Sequence, residues 1–403
     1  MNQVIVIGGG AAGMMAALTA AEDKTNRVLL LERQSRVGRK LLATGNVRCN
    51  LTNIGAAIDN YHGEDRDFAA PALTRFTPRD TLDFFHALGL LTVTEPSGRV
   101  YPLSDSANSV VDVLRFALAQ RAVDVRCGCP VRDIRREKTG YTVVCDEETL
   151  HADDLIVACG GAAGAKLGGV MDGYQLLKPL GHKRTALYPS LVQLLTGTDY
   201  PRSLKGVRAD TALRLCGGGE LLGESGGELQ FTEKGVSGPA AFDISRAAAT
   251  GGEGLTLHVD FLRQIGKDEL LQLLRSRCET FPKLESAELL TGMLHNRLGR
   301  MLLKAAGAPQ GVPLAALTEG QLAAVAAICK DFTLPVTGTE GFDHAQVTAG
   351  GIRTAGFNRD TLESWFMPRL FVCGELLDID GDCGGFNLQW AWASGRMAGR
   401  LGR

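Results

Sequence analysis

An α/β chain is predicted, with one nucleotide-binding domain built from both ends of the sequence. A β-rich, barrel-like insertion that itself carries a helical segment interrupts this domain. Three observations predict it: a strand, glycine turn, helix and second strand within the opening residues; a middle region of short strand-like segments broken by glycine clusters; and a buried-type strand near the far end that runs into a glycine-rich turn and a last helix. The expected boundaries are 1–188 with 344–403 for the nucleotide-binding domain, 189–264 with 330–343 for the β-rich insertion, and 265–329 for the helices.

Taken in order, Gln3 to Ile7 is a short apolar run, Gly8 to Gly13 is a turn, and Met14 to Ala21 is an alanine-rich helix. Val28 to Leu31 is a second apolar run that ends in Glu32, which completes a βαβ unit. Apolar spacing suits helices from Pro78 to Leu88 and from Ser109 to Arg121, with Asp80 and Asp112 in the first turns, where the helix dipole favours acids. Shorter strands follow to Val157, and the buried-type strand Leu155 to Ala158 stops at Cys159-Gly160-Gly161. Between Tyr188 and Val259, segments such as Ala212 to Leu215 and Leu255 to Val259 are separated by Gly217-Gly218-Gly219, Gly226-Gly227 and Gly251-Gly252, of which Gly217-Gly218-Gly219 and Gly251-Gly252 read as hairpin turns. Helices are expected from Gly266 to Cys329, among them Asp268 to Cys278 and Leu294 to Ala306. After Phe332 strands resume; Leu370 to Cys373 meets Gly374-Glu375, and the helix Asn387 to Leu401 closes the chain.

The chain has 403 residues, enough for two to three domains at roughly 150 residues each. Lys and Arg total 43 against 45 Asp and Glu, a formal charge of −2, which excludes a wholly basic nucleic-acid domain and any general affinity for membrane surfaces. Fifty glycines without a collagen period imply tight turns and close backbone approaches. No apolar stretch reaches the roughly 18 residues of a membrane span, and the amino terminus enters a strand directly, so a cytoplasmic protein is expected. Ten cysteines lie without CxxC pairs or zinc spacing and read as reduced, mostly buried thiols.

Gly8, Gly10 and Gly13 form a GxGxxG where its mechanism requires it, after a strand and opening a helix. Gly8 allows the turn, Gly10 lets the backbone approach a pyrophosphate, Gly13 allows close helix–strand packing, and the helix start at Ala11 and Ala12 offers free amides. Glu32, nineteen residues after Gly13, stands where a carboxylate accepts hydrogen bonds from a ribose. A dinucleotide follows. Two features favour FAD over NAD as the resident group. Cys159-Gly160-Gly161 would bring small residues beside the cofactor, and the stretch from Gly374-Glu375 through Asp380 to Gly385 leads into a helix whose dipole would face the flavin's pyrimidine edge. No second nucleotide fold is found, so NAD(P)H is expected to bind transiently as reductant.

Residues Gly38 to Asn53, with Gly384-Gly385-Phe386-Asn387-Leu388-Gln389-Trp390-Ala391-Trp392, resemble the bacterial BaiN/RdsA-type NAD(P)/FAD-dependent oxidoreductases, also known as aminoacetone-oxidase-family flavoproteins. Phe231-Thr232, Gly235, Ser237-Gly238-Pro239 and Val347 to Gly351 extend the resemblance over the whole chain. It implies a glutathione-reductase-type Rossmann FAD domain, an inserted β-barrel-like domain and a helical cap. It also implies that Lys40, Asn46, Arg48 and Asn50 line the cofactor, and that Glu375, Asp380, Asn387, Leu388 and Gln389 hold the flavin end. Arg33, Gly38, Arg39, Val131, Cys159, Gly160, Gly374 and Gly385 complete the expected cofactor set. Val47 stands where the family usually has glycine and Cys159 where threonine is common, while Cys383 is given no role.

The family is linked to reduction of a uracil ring in ribosomal RNA, reduction of unsaturated oxo-bile acids and oxidation of aminoacetone. The two reductions share one logic: hydride reaches the electron-poor carbon of a C=C conjugated to a carbonyl, and an acid protonates its neighbour. A reductase is expected, with Cys49 as candidate acid and Tyr188 and His182 as alternatives. From Arg263 to Lys304 eight Lys and Arg face five acids, and Arg297, Arg300 and Lys304 share one helix face; Arg202, Lys205 and Arg208 form a second basic cluster. Ribosomal RNA, modified from uracil to dihydrouridine, is therefore the leading substrate. A 3-oxo bile-acid Δ4/Δ6 reductase or an aminoacetone-type amine oxidase is the alternative, and a flavin-containing RNA-binding protein without turnover is a third reading. The oligomeric state stays open.

Overall fold

The computed structural model describes residues 1–197 and 199–403. The chain divides into two compact units, Met1–Tyr188 with Ala345–Arg403, and Pro189–His344.

The first unit is built on a five-stranded parallel sheet, in the order Leu370–Val372, Asp154–Val157, Asn2–Ile7, Asn26–Glu32, Asp124–Cys127. Both ends of the sequence thus supply strands to one sheet. Val4 to Ile7, Val28 to Leu31, Leu155 to Val157 and Leu370 to Val372 are all buried, the continuous apolar runs that a parallel sheet covered on both faces demands. The register aligns Ile7 with Leu31 and with Val157, and Val157 with Val372. The carboxyl ends of these strands therefore finish level, and Gly8, Cys159 and Gly374 lie just beyond them; open α/β sheets bind ligands at this edge.

The first helix, Ala11–Ala20, and the last, Phe386–Gly399, pack side by side. A Cβ on Gly395 would lie 2.4 Å from the Ala12 carbonyl oxygen, and one on Gly399 would lie 2.5 Å from that of Ala16. Only glycine permits this approach. The two pairs run in the same sense, so the helices are parallel, with the start of the last helix offset by eight residues, about 12 Å along the axis. Trp390 and Trp392 are buried beneath this pair and donate to the carbonyls of Gly374 (3.1 Å) and Leu51 (2.9 Å).

The second unit contains a closed six-stranded barrel in the order Leu194–Thr196, Gly235–Ser237, Glu220–Phe231, Arg208–Gly217, Leu255–Asp260, Phe332–Thr339. Helices Lys267–Thr280, Asn296–Ala305 and Glu319–Lys330 share its core through Leu270, Leu274, Leu298, Leu302, Leu322 and Val325. Gly218 and Gly219, both at positive φ, form the expected hairpin turn. Two expectations need correction. Gly226 and Gly227 lie inside the strand 220–231, opposite Ala212 and Thr211, where a Cβ on Gly226 would press within 2.9 Å of the Arg263 guanidinium. Gly251-Gly252 closes no hairpin: it ends a helix, Pro239–Thr250, that interrupts the β-rich region. Proline at its first position and alanines at 240, 241 and 247–249 favour that helix.

Among the described residues no helix is long and apolar enough to cross a membrane.

Candidate FAD site

The three glycines of the first turn have distinct reasons. Gly8 sits at φ +108°, and its Cβ would fall 2.4 Å from the Ala158 carbonyl oxygen; a Cβ on Gly13 would fall 1.8 Å from that of Gly8. Those two glycines lock the turn between strand and helix. A Cβ on Gly10 would meet nothing within 4 Å. Gly10 is the N-cap without a side-chain cap, and the first helical hydrogen bond runs from Met14 N–H to Gly10 O, so the amides ahead of Met14 lie outside the helical ladder. Open space at an uncapped helix start is what a pyrophosphate requires. Glu32 ends the second strand; its Oε2 accepts from Gly9 N–H (2.8 Å) and its Oε1 from Gln34 N–H (2.7 Å), placing the carboxylate against the turn.

The start of the last helix is the second such place. Gly385, at φ +102°, caps it without a side-chain bond, and a Cβ there would press within 2.6 Å of the Thr52 carbonyl oxygen and 2.8 Å of Asn50 Oδ1. Asn50 Oδ1 is buried with no hydrogen-bond partner, an acceptor held ready for a donor. A pyrophosphate at the first helix start and a flavin ring at the second, about 12 Å further along, match an elongated FAD, whose ribityl chain separates the two groups. The residues present fit the cofactor.

Glu375 joins the remaining pieces. Its Oε2 lies 2.6 Å from Lys40 Nζ, and its Oε1 accepts from Thr348 N–H at 2.9 Å, while Thr348 Oγ1 accepts from Ala163 N–H at 3.0 Å. A Cβ on Gly161 would meet both Thr348 Oγ1 (2.4 Å) and Glu375 Oε1 (2.6 Å), whereas Gly160 faces open space at φ +73°. The Cys159-Gly160-Gly161 turn, Lys40 and Glu375 are thus one cluster at the carboxyl edge of the sheet. Thr348 escaped the cofactor set read from the sequence.

Other expected residues are spread more widely. Arg33 pairs with Asp172 at 3.5 Å and Arg39 donates to Gln34 Oε1 at 2.7 Å. Gly38, at φ +71°, donates its N–H to Gly9 O (2.8 Å). Arg48 lies 4.0 Å over the Tyr101 ring and is hydrogen-bonded to Asp105 and, at 3.3 Å, to Glu95. Asn46, Val47 and Cys49 all adopt positive φ, an unusual run for residues with side chains, and exposed Val47 sits where glycine would be relaxed. Val131 is buried at the start of an antiparallel three-stranded sheet. Asp380 is buried on a short ribbon before the last helix, Leu388 is half-buried in its first turn, and Asn387 holds that turn through bonds to Gly381 N–H (2.8 Å) and O (2.7 Å). The Gln389 side chain is committed to the protein interior: it accepts from Thr52 (2.6 Å) and Thr81 (2.9 Å) and donates to Phe76 O (2.8 Å).

Cys49 is not placed as a proton donor. It is 0% exposed, and burial pushes its thiol up to about 12. His182 is likewise interior, stacked on Phe357 at 4.5 Å with Nε2 3.0 Å from Ser364 Oγ, and Tyr188 opens a short strand, Tyr188–Ser190.

In the second unit the two basic clusters meet. Arg297, Arg300 and Lys304 are exposed on the helix Asn296–Ala305, opposite the buried Leu298, Met301 and Leu302. Arg297 donates to the carbonyls of Ser203 and, at 3.4 Å, Lys205, which joins this face to the segment carrying Arg202. Lys205 pairs with Glu233 (3.0 Å), Arg208 with Glu228 (3.4 Å) and Arg300 with Glu288 (2.6 Å).

Residues 2–401 match the HI0933-like protein Rossmann domain. The chain is 39% identical to the 3-dehydro-bile acid delta(4,6)-reductase of Clostridium scindens, covering 99% of this chain and 98% of that one. It is 29% identical to the ribosomal RNA dihydrouridine synthase of Escherichia coli, covering 97% and 95%. Among solved structures, the 3-ketosteroid delta1-dehydrogenase of Sterolibacterium denitrificans aligns over 99% of both chains with TM-score 0.52 and 15% identity, a likeness of fold. The chain belongs to the HI0933-like Rossmann family and is an FAD-dependent oxidoreductase.

Proposed function

We propose that this protein uses NAD(P)H to saturate a carbon–carbon double bond conjugated to a carbonyl, and that its substrate is a uracil ring in ribosomal RNA, converted to dihydrouridine. Two whole-length relatives bear names for reactions on different molecules, an unsaturated oxo-bile acid and ribosomal RNA. Both ring systems hold a C=C polarised by a carbonyl, so the same hydride and proton transfers serve either. The observation that favours RNA is the joined basic face of the second unit. Arg297 and Lys304 are exposed there without an acidic partner among the described residues, and Arg202 shares Glu233 with Lys205; such cations hold phosphates.

When bound, FAD supplies a two-electron hydride carrier between NAD(P)H and the electron-poor carbon. The amides at the first helix start would neutralise its pyrophosphate, with Gly10 giving the backbone room to approach. The uncapped start of the last helix would set a positive dipole end against charge that gathers on the flavin's pyrimidine side. Asn50 Oδ1 would accept from the same end, and Lys40, fixed by Glu375, would line the approach from the sheet.

Ribosomal RNA from cells with and without the gene, digested to nucleosides and examined by mass spectrometry, tests the substrate: one dihydrouridine site is expected to disappear, and an unchanged content refutes it. The higher identity to the bile-acid reductase favours a second reading, reduction of a small 3-oxo-4-ene steroid. Anaerobic reoxidation of the NAD(P)H-reduced protein by such a steroid, against an rRNA fragment, separates the two.

A further inference from the structure

We propose that His62, oriented by Asp382, is the proton donor of the reductive step; the assignment rests on the ene-reductase reading above. His62 lies on a two-residue strand, Tyr61–His62, paired antiparallel with Asp380–Gly381 so that Asp380 faces His62. This ribbon is fastened to the first turn of the last helix. Tyr61 O–H donates to Phe386 O at 3.1 Å, and the two rings meet edge to face at 6.4 Å. Gly381 exchanges two hydrogen bonds with the Asn387 amide, and a Cβ there would press 3.0 Å from that of Phe386. His62 is therefore carried at the helix start that would face the flavin.

Its chemistry suits the place. The His62 side chain is 36% exposed, so a substrate can reach it. Nε2 lies 2.7 Å from Asp382 Oδ1, and Asp382 is itself held: Oδ2 accepts from Asn60 Nδ2 (3.3 Å) and its N–H donates to Asn60 O (3.0 Å). A ring nitrogen fixed on a carboxylate sets the imidazole's orientation and leaves Nδ1 to pass a proton. The surrounding titratable groups do not compete. Asp378 and Asp380 are buried, burial pushes the Tyr61 hydroxyl well above its ordinary range, and Glu64 pairs with Arg353 at 3.2 Å.

In the step assigned to it, the substrate's C=C π bond would break as a hydride, which bound FAD would supply at the expense of NAD(P)H, forms a C–H bond at the carbon β to the carbonyl. The imidazolium N–H bond of His62 breaks and a C–H bond forms at the α carbon. The substrate gains two hydrogens and two electrons, the nicotinamide is oxidised, and neutral His62 takes its proton back from water.

The test uses FAD-loaded wild type, His62→Gln and Asp382→Asn, each checked for full flavin content and an unchanged visible spectrum. After reduction by NAD(P)H, anaerobic reoxidation by androst-4-ene-3,17-dione and by a uridine-containing rRNA fragment is followed in a stopped-flow instrument. His62→Gln is expected to slow reoxidation at least 100-fold, and Asp382→Asn about 10-fold with a changed solvent isotope effect. Independently of turnover, diethyl pyrocarbonate labelling of His62, read by mass spectrometry, should fall several-fold in oxidised protein when the accepted substrate is present. If wild type is reoxidised by neither compound, the ene-reductase reading falls and this assignment with it. If wild type reacts and His62→Gln keeps pace, or His62 labels equally with and without substrate, only the donor assignment is overturned.

Discussion

Gly10 and Gly13 stand three residues apart in one motif, yet replacing each by alanine should give different phenotypes. At Gly13 the new methyl carbon would sit 1.8 Å from the Gly8 carbonyl oxygen, against about 3.5 Å for a comfortable contact. Both atoms belong to backbone, so the first helix must back away from the strand end by more than an ångström. Overpacking on that scale costs about 3 kcal/mol, offset by about 1 kcal/mol from alanine's better helix propensity. A net loss near 2 kcal/mol should lower the melting temperature of the flavin-free protein by roughly 4–8 °C, and FAD affinity should fall as the turn opens. At Gly10 a Cβ meets nothing within 4 Å, and the backbone, at φ −79°, suits any residue. Alanine is the poorer N-cap but restricts the unfolded chain, gaining about 0.4–1 kcal/mol, so Gly10→Ala should leave flavin-free stability within about 0.5 kcal/mol of wild type. The methyl would instead occupy the space left for the pyrophosphate, and FAD should dissociate about ten-fold more readily, equivalent to about 1.4 kcal/mol.

Thermal unfolding of the stripped protein and a fluorescence titration with FAD separate the two effects. Wild-type FAD affinity in Gly10→Ala would refute the placement of the phosphates. Unchanged stability in Gly13→Ala would refute the packing argument for the turn.

Four further outcomes are expected. Val47→Gly should stabilise the protein by about 0.5 kcal/mol in urea unfolding, because the left-handed backbone at φ +63° costs a side-chain residue about 1–2 kcal/mol and glycine's extra unfolded freedom about 0.5–1; a loss would show that the side chain is needed. Burial lowers His182 from 6.5 to about 4, so the unfolded chain binds its proton first as pH falls; stability should decline as pH drops from about 6.5 to 4, by up to about 3 kcal/mol, and His182→Leu should flatten that slope. Arg369→Leu should cost about 1–3 kcal/mol, since it strips a two-pronged partner (2.7 and 2.5 Å) from the buried Asp154 carboxylate, and adding Asp154→Asn should recover part of the loss in the same urea assay. Arg297→Glu with Lys304→Glu should weaken binding of an rRNA fragment and lower its salt slope by about two, with FAD content unchanged; equal binding would remove the support for RNA.

How far the sequence could be read followed from how local each requirement is. Gly8, Gly10, Gly13 and Glu32 answer to contacts within one strand–helix–strand unit, so their spacing announces both the turn and its ligand. The runs at 155–158 and 370–373 were legible because a strand buried on both faces must be continuously apolar. The helix at 239–250 was hidden by its surroundings: short apolar segments on either side set a β-rich expectation, and Gly251-Gly252 suits a helix end as well as a hairpin. Gly226 and Gly227 misled in the same way, because a strand interior that takes Gly227 to φ +140° also calls for glycine. Cys49 drew attention by its motif, but motif membership says nothing of access, and the thiol is closed off. His62 and Asp382, 320 residues apart, sit on and just after a pair of two-residue strands too short for any periodicity to register.

Uracil and a 3-oxo-4-ene ring place the same demands on the chemistry: one hydride delivered to the β carbon and one proton to its neighbour. The residues offered for the cofactor, with Gly10, Asn50, Glu375 and Gly385 among them, and the His62–Asp382 pair all lie in the unit formed by residues 1–188 and 345–403. That unit can therefore stay constant while the substrate changes, and relatives at 39% and 29% identity do carry different substrate names over nearly their full lengths. Overall identity is then a weak guide to substrate, and the discriminating property must be what holds the rest of the molecule that bears the ring. For RNA that is a phosphate chain, which calls for exposed cations. For a steroid it is apolar surface, which those cations do nothing to bind.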